Sequence, residues 1–217
     1  MKTKLLTIAM MVALMLAAIT RGQAQEYDGP CLPPMHGLLG DQSALCGSSQ
    51  TLTLSSGTNW VSFNVETTLD DLKAALVDAL SGTGAIAITI QGKSQNTKYT
   101  GGRWRGNLTF DVTQMYMIDV SAACEISLEG VPVNPSEHPI TIVNGANWIA
   151  YPLEVSMTQE QAFAGFNVVN GDVISAKDGN ARYTGGRWRD TVNLTPGQGY
   201  IYTSAASGNR TLIFPNN

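Results

Sequence analysis

The string YTGGRWR occurs twice, at Tyr99–Arg105 and at Tyr183–Arg189, an offset of 84 positions in a chain of 217 residues. Seven identical consecutive residues mark an internal repeat, and a repeat organises everything around it. At the same offset Ile90 matches Ile174, Lys93 matches Lys177, Asn96 matches Asn180, Lys98 matches Arg182, Gln114 matches Gln198 and Tyr116 matches Tyr200. Upstream, GTNWVSFNVE at Gly57–Glu66 matches GANWIAYPLE at Gly145–Glu154 at an offset of 88, so a four-residue length change separates the two landmarks. The chain then divides into a leader over 1–24, a Pro/Gly-rich segment over 25–50, repeat 1 over 51–130, the linker VPVNPSEHP over 131–139 and repeat 2 over 140–217. A linker this short favours close packing of the repeats.

In each hairpin string the two glycines suit a two-residue turn that needs positive φ. That register sets Thr100 opposite Arg103, Tyr99 opposite Trp104 and Lys98 opposite Arg105. Side chains alternate across a strand, so Tyr99 and Trp104 share one face while Lys98, Thr100, Arg103 and Arg105 share the other. Repeat 2 copies the arrangement with Tyr183 and Trp188 against Arg182, Thr184, Arg187 and Arg189. Large aromatics favour burial, so Trp104 and Trp188 read as core, with stacking on a sugar ring as the other reading.

The rest of each copy reads as alternating strands around one helix. Trp60, Ser62 and Asn64 alternate with Val61, Phe63 and Val65, the period of a strand, and Trp148, Ile149 and Tyr151 begin its counterpart. Thr68 stands three residues before Asp71, and Ser156 three before Gln159, the spacing of a helix N-cap and its partner. Leu69, Leu72, Leu76 and Leu80 then form an apolar stripe; the second copy offers Met157, Ala162, Phe163 and Phe166 and ends near Gly171. Thr195–Gln198 places Pro and Gly where a type II turn needs them, whereas Asp111–Gln114 has diverged. The expected class is α+β, β-rich, with a small antiparallel sheet and one helix in each of two homologous repeats.

Composition bounds the function. Hydrophobic residues make up 43% and charged residues 14%, enough apolar content to exclude a disordered chain. The 13 Lys and Arg against 17 Asp and Glu become 10 against 17, a net −7, once Lys2, Lys4 and Arg21 of the leader are set aside. That balance argues against nucleic acid as a partner. Lys2 and Lys4 precede the apolar run Leu5–Ile19, and Gly22 and Ala24 follow at the spacing of a signal-peptidase site, which predicts export to the periplasm, cell surface or medium. The run is too short for a permanent membrane span of roughly 20 residues, and no transmembrane segment is expected. Cys31 lies beyond Glu26 and Asp28, away from a lipid-anchor position. In an oxidising compartment Cys31 and Cys46 are candidates for a local disulfide, and Cys124 reads as a small buried residue.

Among the basic residues of the chain past the leader, all but Lys73 and Arg210 fall at four matched pairs of positions: Lys93 with Lys177, Lys98 with Arg182, Arg103 with Arg187 and Arg105 with Arg189. Like charges set opposite each other on a hairpin cost a few tenths of a kcal/mol, roughly. Two explanations stand. The strips are a site for an anionic glycan, an envelope component or an acidic surface protein, or Asp111, Asp119, Asp178 and Asp190 neutralise them within each repeat. No nucleophile, acid–base pair or metal set recurs in both copies; His36 and His138 lie in Pro-rich connections, and Asp70 with Asp71 suffice as helix-start residues. The expectation is a non-catalytic protein without cofactor or metal, a hydrolase being the reading least supported.

NW[IV]S at a strand start, Ile-x-x-Lys, Tyr-turn-Trp and Pro-Gly-x-Gly-Tyr together resemble repeats of exported and cell-surface proteins of Bacteroidetes-type bacteria. Repeat 2 carries the pattern through Asn147 and Trp148, Ile174 and Lys177, Tyr183 and Trp188, and Pro196–Tyr200, while repeat 1 lacks the Pro-Gly turn and the Gly before Tyr116. The resemblance implies accessory modules of surface proteins: an interaction module, or a structural subunit of an envelope assembly.

Overall fold

Positive-φ glycines at the hairpin tips, Gly101 and Gly102 at 59° and 79° and Gly185 and Gly186 at 61° and 75°, fold YTGGRWR back on itself in both copies. The structure, a computed structural model, describes residues 47–84 and 86–215. The leader, Cys31, Cys46 and His36 lie outside the described residues.

Repeat 1 runs β1 (Ser48–Leu54), β2 (Gly57–Val61), helix α1 (Leu69–Ala79), β3 (Ile88–Gln91), β4 (Asn96–Thr100), β5 (Arg103–Asn107), β6 (Tyr116–Val120) and β7 (Cys124–Gly130). Repeat 2 runs β8 (Ile140–Ile142), β9 (Gly145–Ile149), β10 (Met157–Thr158), helix α2 (Gln159–Ala162), β11 (Val173–Ser175), β12 (Asn180–Thr184), β13 (Arg187–Arg189), β14 (Asn193–Leu194), β15 (Tyr200–Ser204) and β16 (Arg210–Leu212). Each repeat builds a five-stranded antiparallel sheet with equivalent strands in the same order, β2-β6-β3-β4-β5 and β9-β15-β11-β12-β13. A two-stranded ribbon accompanies each, β1 with β7 and β8 with β16, and repeat 2 adds β10 with β14. The fold is α+β and β-rich. Strand β1 starts at Ser48, so the first repeat takes in the end of the segment read as 25–50.

The helices diverge most. Thr68 Oγ1 accepts from Asp71 N, α1 runs for 11 residues, and Leu72, Leu76 and Leu80 are fully buried. In repeat 2 the N-cap is Thr158 rather than Ser156, closing a reciprocal capping box with Gln161, and the helix is a single turn of 4 residues. The expected helix toward Gly171 does not form. Gln159 fixes where the turn begins: it is buried and tied to the segment just past the β12–β13 hairpin, accepting from Val192 N at 2.8 Å and donating to Asp190 O at 3.2 Å. Phe163, which caps the turn, fills the space with rings against Phe166, Trp188, Tyr202 and Phe214 at 5.3–6.1 Å. The two cores are separate clusters, the first almost wholly aliphatic with Phe63 and Tyr116, the second richer in rings with Tyr151, Phe163, Phe166, Tyr200, Tyr202 and Phe214.

The strand predicted through Asn64 stops at Val61, and every residue from Val61 to Val65 is buried, so the alternation ends there. Repeat 2 covers that segment. Ser62 N donates to Gly197 O at 3.0 Å, and its equivalent Ala150 N donates to Thr113 O at 3.0 Å. Gly199 N reaches Trp60 O, and Ser62 Oγ donates to Gln198 O at 2.6 Å. Each repeat thus presses its β-turn against the other's first sheet strand. Gln198 N donates to Thr195 O with Gly197 at φ 82°, as the type II pattern requires. Asp111–Gln114 closes by the same first-to-fourth bond but in another turn type: Gln114 N donates to Asp111 O, Thr113 is not at positive φ, and the Asp111 carboxylate accepts from Thr113 N at 2.8 Å. The sequence and the turn type diverged there while the closing hydrogen bond stayed. Both repeats belong to one compact unit.

Shared polar pins fix both sheets. Asn59 accepts from Ser55 N and donates to Ser55 O, Gly57 O and Ile118 O; Asn147 does the same with Val143, Gly145 and Tyr202. Tyr116 and Tyr200 accept at their hydroxyls from Asp111 N and Thr195 N, which anchors each turn to the sheet.

Candidate functional site

Strand pairing in both hairpins follows the sequence register, Tyr99 opposite Trp104 and Tyr183 opposite Trp188. The rings meet at 5.3 Å and 5.4 Å on the inward face, where each Trp is half-buried against its core. Trp188 also lies 5.9 Å from Phe163, whereas Trp104 is overlain by Lys73 Nζ at 5.6 Å, beside an open cleft between α1 and the hairpin. Both tryptophans therefore serve the core.

The basic residues occupy the opposite face. Lys98 pairs with Arg105 and Arg182 with Arg189, like charges directly opposite, with Arg103 and Arg187 one step toward the tip. All six are exposed. Among the described residues the ion pairs within 4.0 Å are Lys73–Asp70, His138–Glu66 and Arg210–Asp172, so none involves these six. The aspartates expected to neutralise them do other work or stand apart. Asp119 accepts from Thr58 Oγ1 at 3.0 Å and Asp111 from Thr113, while Asp178 and Asp190 form no ion pair among the described residues. In repeat 1 the outward row runs Arg105, Lys98, Thr89, Asp119; in repeat 2 it runs Arg189, Arg182, Val173, Thr203 and holds no acid.

The remaining two basic residues play a different part. Lys93 Nζ donates to Ala146 O at 2.6 Å, and Lys177 Nζ donates to Thr58 O at 2.7 Å. Ala146 and Thr58 are equivalent residues of β9 and β2, so the two lysines reach across the junction reciprocally, each satisfying a carbonyl on the other repeat's edge strand. The strip narrows to Lys98, Arg103, Arg105, Arg182, Arg187 and Arg189.

The hairpins lie on the outermost sheet strands, β5 and β13. Strand β13 ends at Arg189, just before Asp190 (φ 65°), the one non-glycine residue at positive φ among those described, whereas its equivalent Gly106 (φ 94°) stays paired with Thr97 and β5 runs on to Asn107. A Cβ at Gly106 would sit 2.6 Å from Asn96 O, so glycine is required there.

One polar cluster has no forewarning in motif or spacing. Asp172, fully buried, accepts from Arg210 at 2.9 and 3.1 Å, from Tyr202 Oη at 2.6 Å, and from the N–H groups of Val169 and Ala205. Burial pushes its carboxyl pKa up, but these donors outweigh it and hold the group below the ordinary carboxylate range. Burial and then the bond to Asp172 raise the Tyr202 pKa. The guanidinium also stacks on Phe166 at 4.8 Å and donates to Ser204 Oγ and Asn167 O. With the Asp172 carboxylate satisfied and Arg210 Nε the one buried guanidinium atom without a partner among the described residues, this cluster is a fastener. The only sequence hint is Arg210 itself, a cation outside the matched pairs.

Cys124 is half-buried rather than buried, packing at the margin of the first core where β7 begins, and burial raises its thiol pKa. Among the described residues no group of His, Cys, Asp or Glu converges as a metal-ligand set, and no helix is long and apolar enough to cross a membrane. Comparison with family models, curated proteins and solved structures finds no match to this chain.

Proposed function

We propose that the protein is a non-catalytic, exported interaction module that binds an anionic glycan or envelope component through its two basic hairpins. One observation carries the reading. Between the copies the helix lost most of its length, the turn changed residues and a buried apolar cluster became polar, yet YTGGRWR stayed identical. Its glycines and its Tyr-Trp pair have structural reasons to persist. Arg103 with Arg187 and Arg105 with Arg189 have none among the described contacts: they are exposed, carry no carboxylate within 4.0 Å and face like charges. Guanidinium groups held on paired strands offer forked donors to carboxylate, sulfate or phosphate.

An envelope subunit assembled by strand pairing has less support. The edges β2 and β9 are occupied by the sister repeat, and β5 and β13 carry exposed cations and a positive-φ residue in or just past the strand, features that deter edge-to-edge addition.

The test is a binding screen of anionic glycans and envelope fractions against the chain from Glu26 onward, at low and physiological salt. Salt-sensitive capture that Arg103→Ala with Arg187→Ala abolishes is the expected result. Capture that survives the double substitution, or silence across the screen, sinks the assignment.

A further inference from the structure

Resting on that reading, we infer that the two strips are one bivalent site for a single linear polyanionic glycan. Three features lead there. First, each strip is an open ladder rather than a pocket: its cations recur at about 5 Å across the strands and about 7 Å along them. A ladder matches a chain of repeated charges better than one small anion. Second, each hairpin ends a five-stranded sheet whose opposite edge, β2 or β9, lies at the junction between repeats. Four strand spacings, about 19 Å, separate strip from junction edge in each repeat. A ligand touching both strips is a polymer. Third, the junction is pinned from both sides by reciprocal backbone bonds and the two lysines, so the spacing between strips is fixed rather than averaged over a flexible tether. Rigid presentation of two matched sites turns the second contact into an intramolecular one. Nucleic acid suits the molecule less well, because its dense charge would meet the acidic remainder of a chain that is −7 without its leader.

The experiment uses the chain from Glu26 and three probes at low salt: galacturonic acid trimer, long polygalacturonate, and a single-stranded oligonucleotide of matching length. Its variants are Arg103→Ala with Arg105→Ala, Arg187→Ala with Arg189→Ala, all four together, and the same sets to Gln, with unfolding temperature checked for each. Polygalacturonate is expected to bind at least tenfold more tightly than the trimer. Either two-residue variant should lose that whole gain and fall to trimer-like affinity, and the fourfold variant should not bind. If length brings no gain, or a one-strip variant merely halves the affinity, the strips act independently and bivalency fails while the anion-site reading stands. An oligonucleotide bound as tightly as polygalacturonate overturns the glycan assignment. Wild-type and fourfold variant behaving alike, bound or unbound, overturns both readings.

Discussion

Where repeat 1 closes its sheet with Ile88, Ile118, Val120 and Cys124, repeat 2 places Asp172, Tyr202, Ser204 and Arg210 at the equivalent positions. The first set is an apolar plug; the second is an ion pair with a phenol and a hydroxyl around it. Strand order and register survive the exchange. Two chemistries therefore satisfy one backbone, because the backbone asks only that the volume be filled and that buried charge be paired, as the Asp172 carboxylate is by its five donors. They differ in what happens when one member is removed. An apolar plug loses area and leaves a cavity, whereas a polar cluster leaves a charge stranded away from water.

The sharpest way to break the comparison is Arg210→Ala, expected to cost about 3–5 kcal/mol by chemical denaturation because Asp172 is left buried and unpaired. Importing the first repeat's apolar solution at matched volume, Asp172→Leu with Tyr202→Phe, Ser204→Val and Arg210→Met, should be near neutral or stabilising. A large loss in the fourfold variant would mean that the polar set is required by more than local packing. Acid titration separates the repeats as well. Asp172 has a folded pKa below its unfolded value of about 3.9, so its contribution is present above that value and lost as pH falls through the folded pKa. The fourfold variant should lack that part of the acid dependence.

Next in size is the contrast of the two cores. Leu76→Ala in the first core is expected to cost about 3 kcal/mol, and Phe163→Ala, at the hub of the ring-rich second one, about as much or slightly more. Equal stability of wild type and Phe163→Ala would show that the rings merely line the space. Gly106 and Asp190 offer a smaller, signed test. Gly106→Asp should destabilise by about 2 kcal/mol, since its Cβ meets Asn96 O, while Asp190→Gly should stabilise by up to about 1 kcal/mol by relieving left-handed backbone. Thermal unfolding that moves the same way in both would refute the asymmetry. The smallest effect belongs to the lysines: Lys93→Ala and Lys177→Ala should each cost below about 1 kcal/mol, exposed as they are, and by similar amounts because their contacts are equivalent. A clear inequality would mean that the junction is less symmetric than its hydrogen bonds.

The hairpins were legible in the sequence because their constraints are local. Two glycines at the tip determine the turn, the turn determines the register, and the register separates Tyr99 and Trp104 from Lys98, Arg103 and Arg105. The helix of repeat 1 was legible for the same reason, through Thr68 and the leucine stripe. Its counterpart was misjudged because Ser156 and Thr158 both offer a capping oxygen, and only the tie between Gln159 and the Asp190–Val192 segment selects between them. The six hairpin cations were found by matching copies, but matching swept in Lys93 and Lys177 as well, whose amines belong to the junction.

By itself, then, the sequence determined the duplication, the hairpin register, the β-rich class and the confinement of positive charge to matched positions, since each follows from neighbours a few residues apart or from the repeat offset. Tertiary structure alone decided that each repeat closes the other's sheet edge, that Asn64 and its neighbours are buried on both faces, that Lys93 and Lys177 are fasteners while the hairpin cations form no ion pair among the described residues, and that Asp172 meets Arg210. Those outcomes depend on residues 37 to 139 positions apart, for which sequence spacing carries no signal and only tertiary packing supplies the partner.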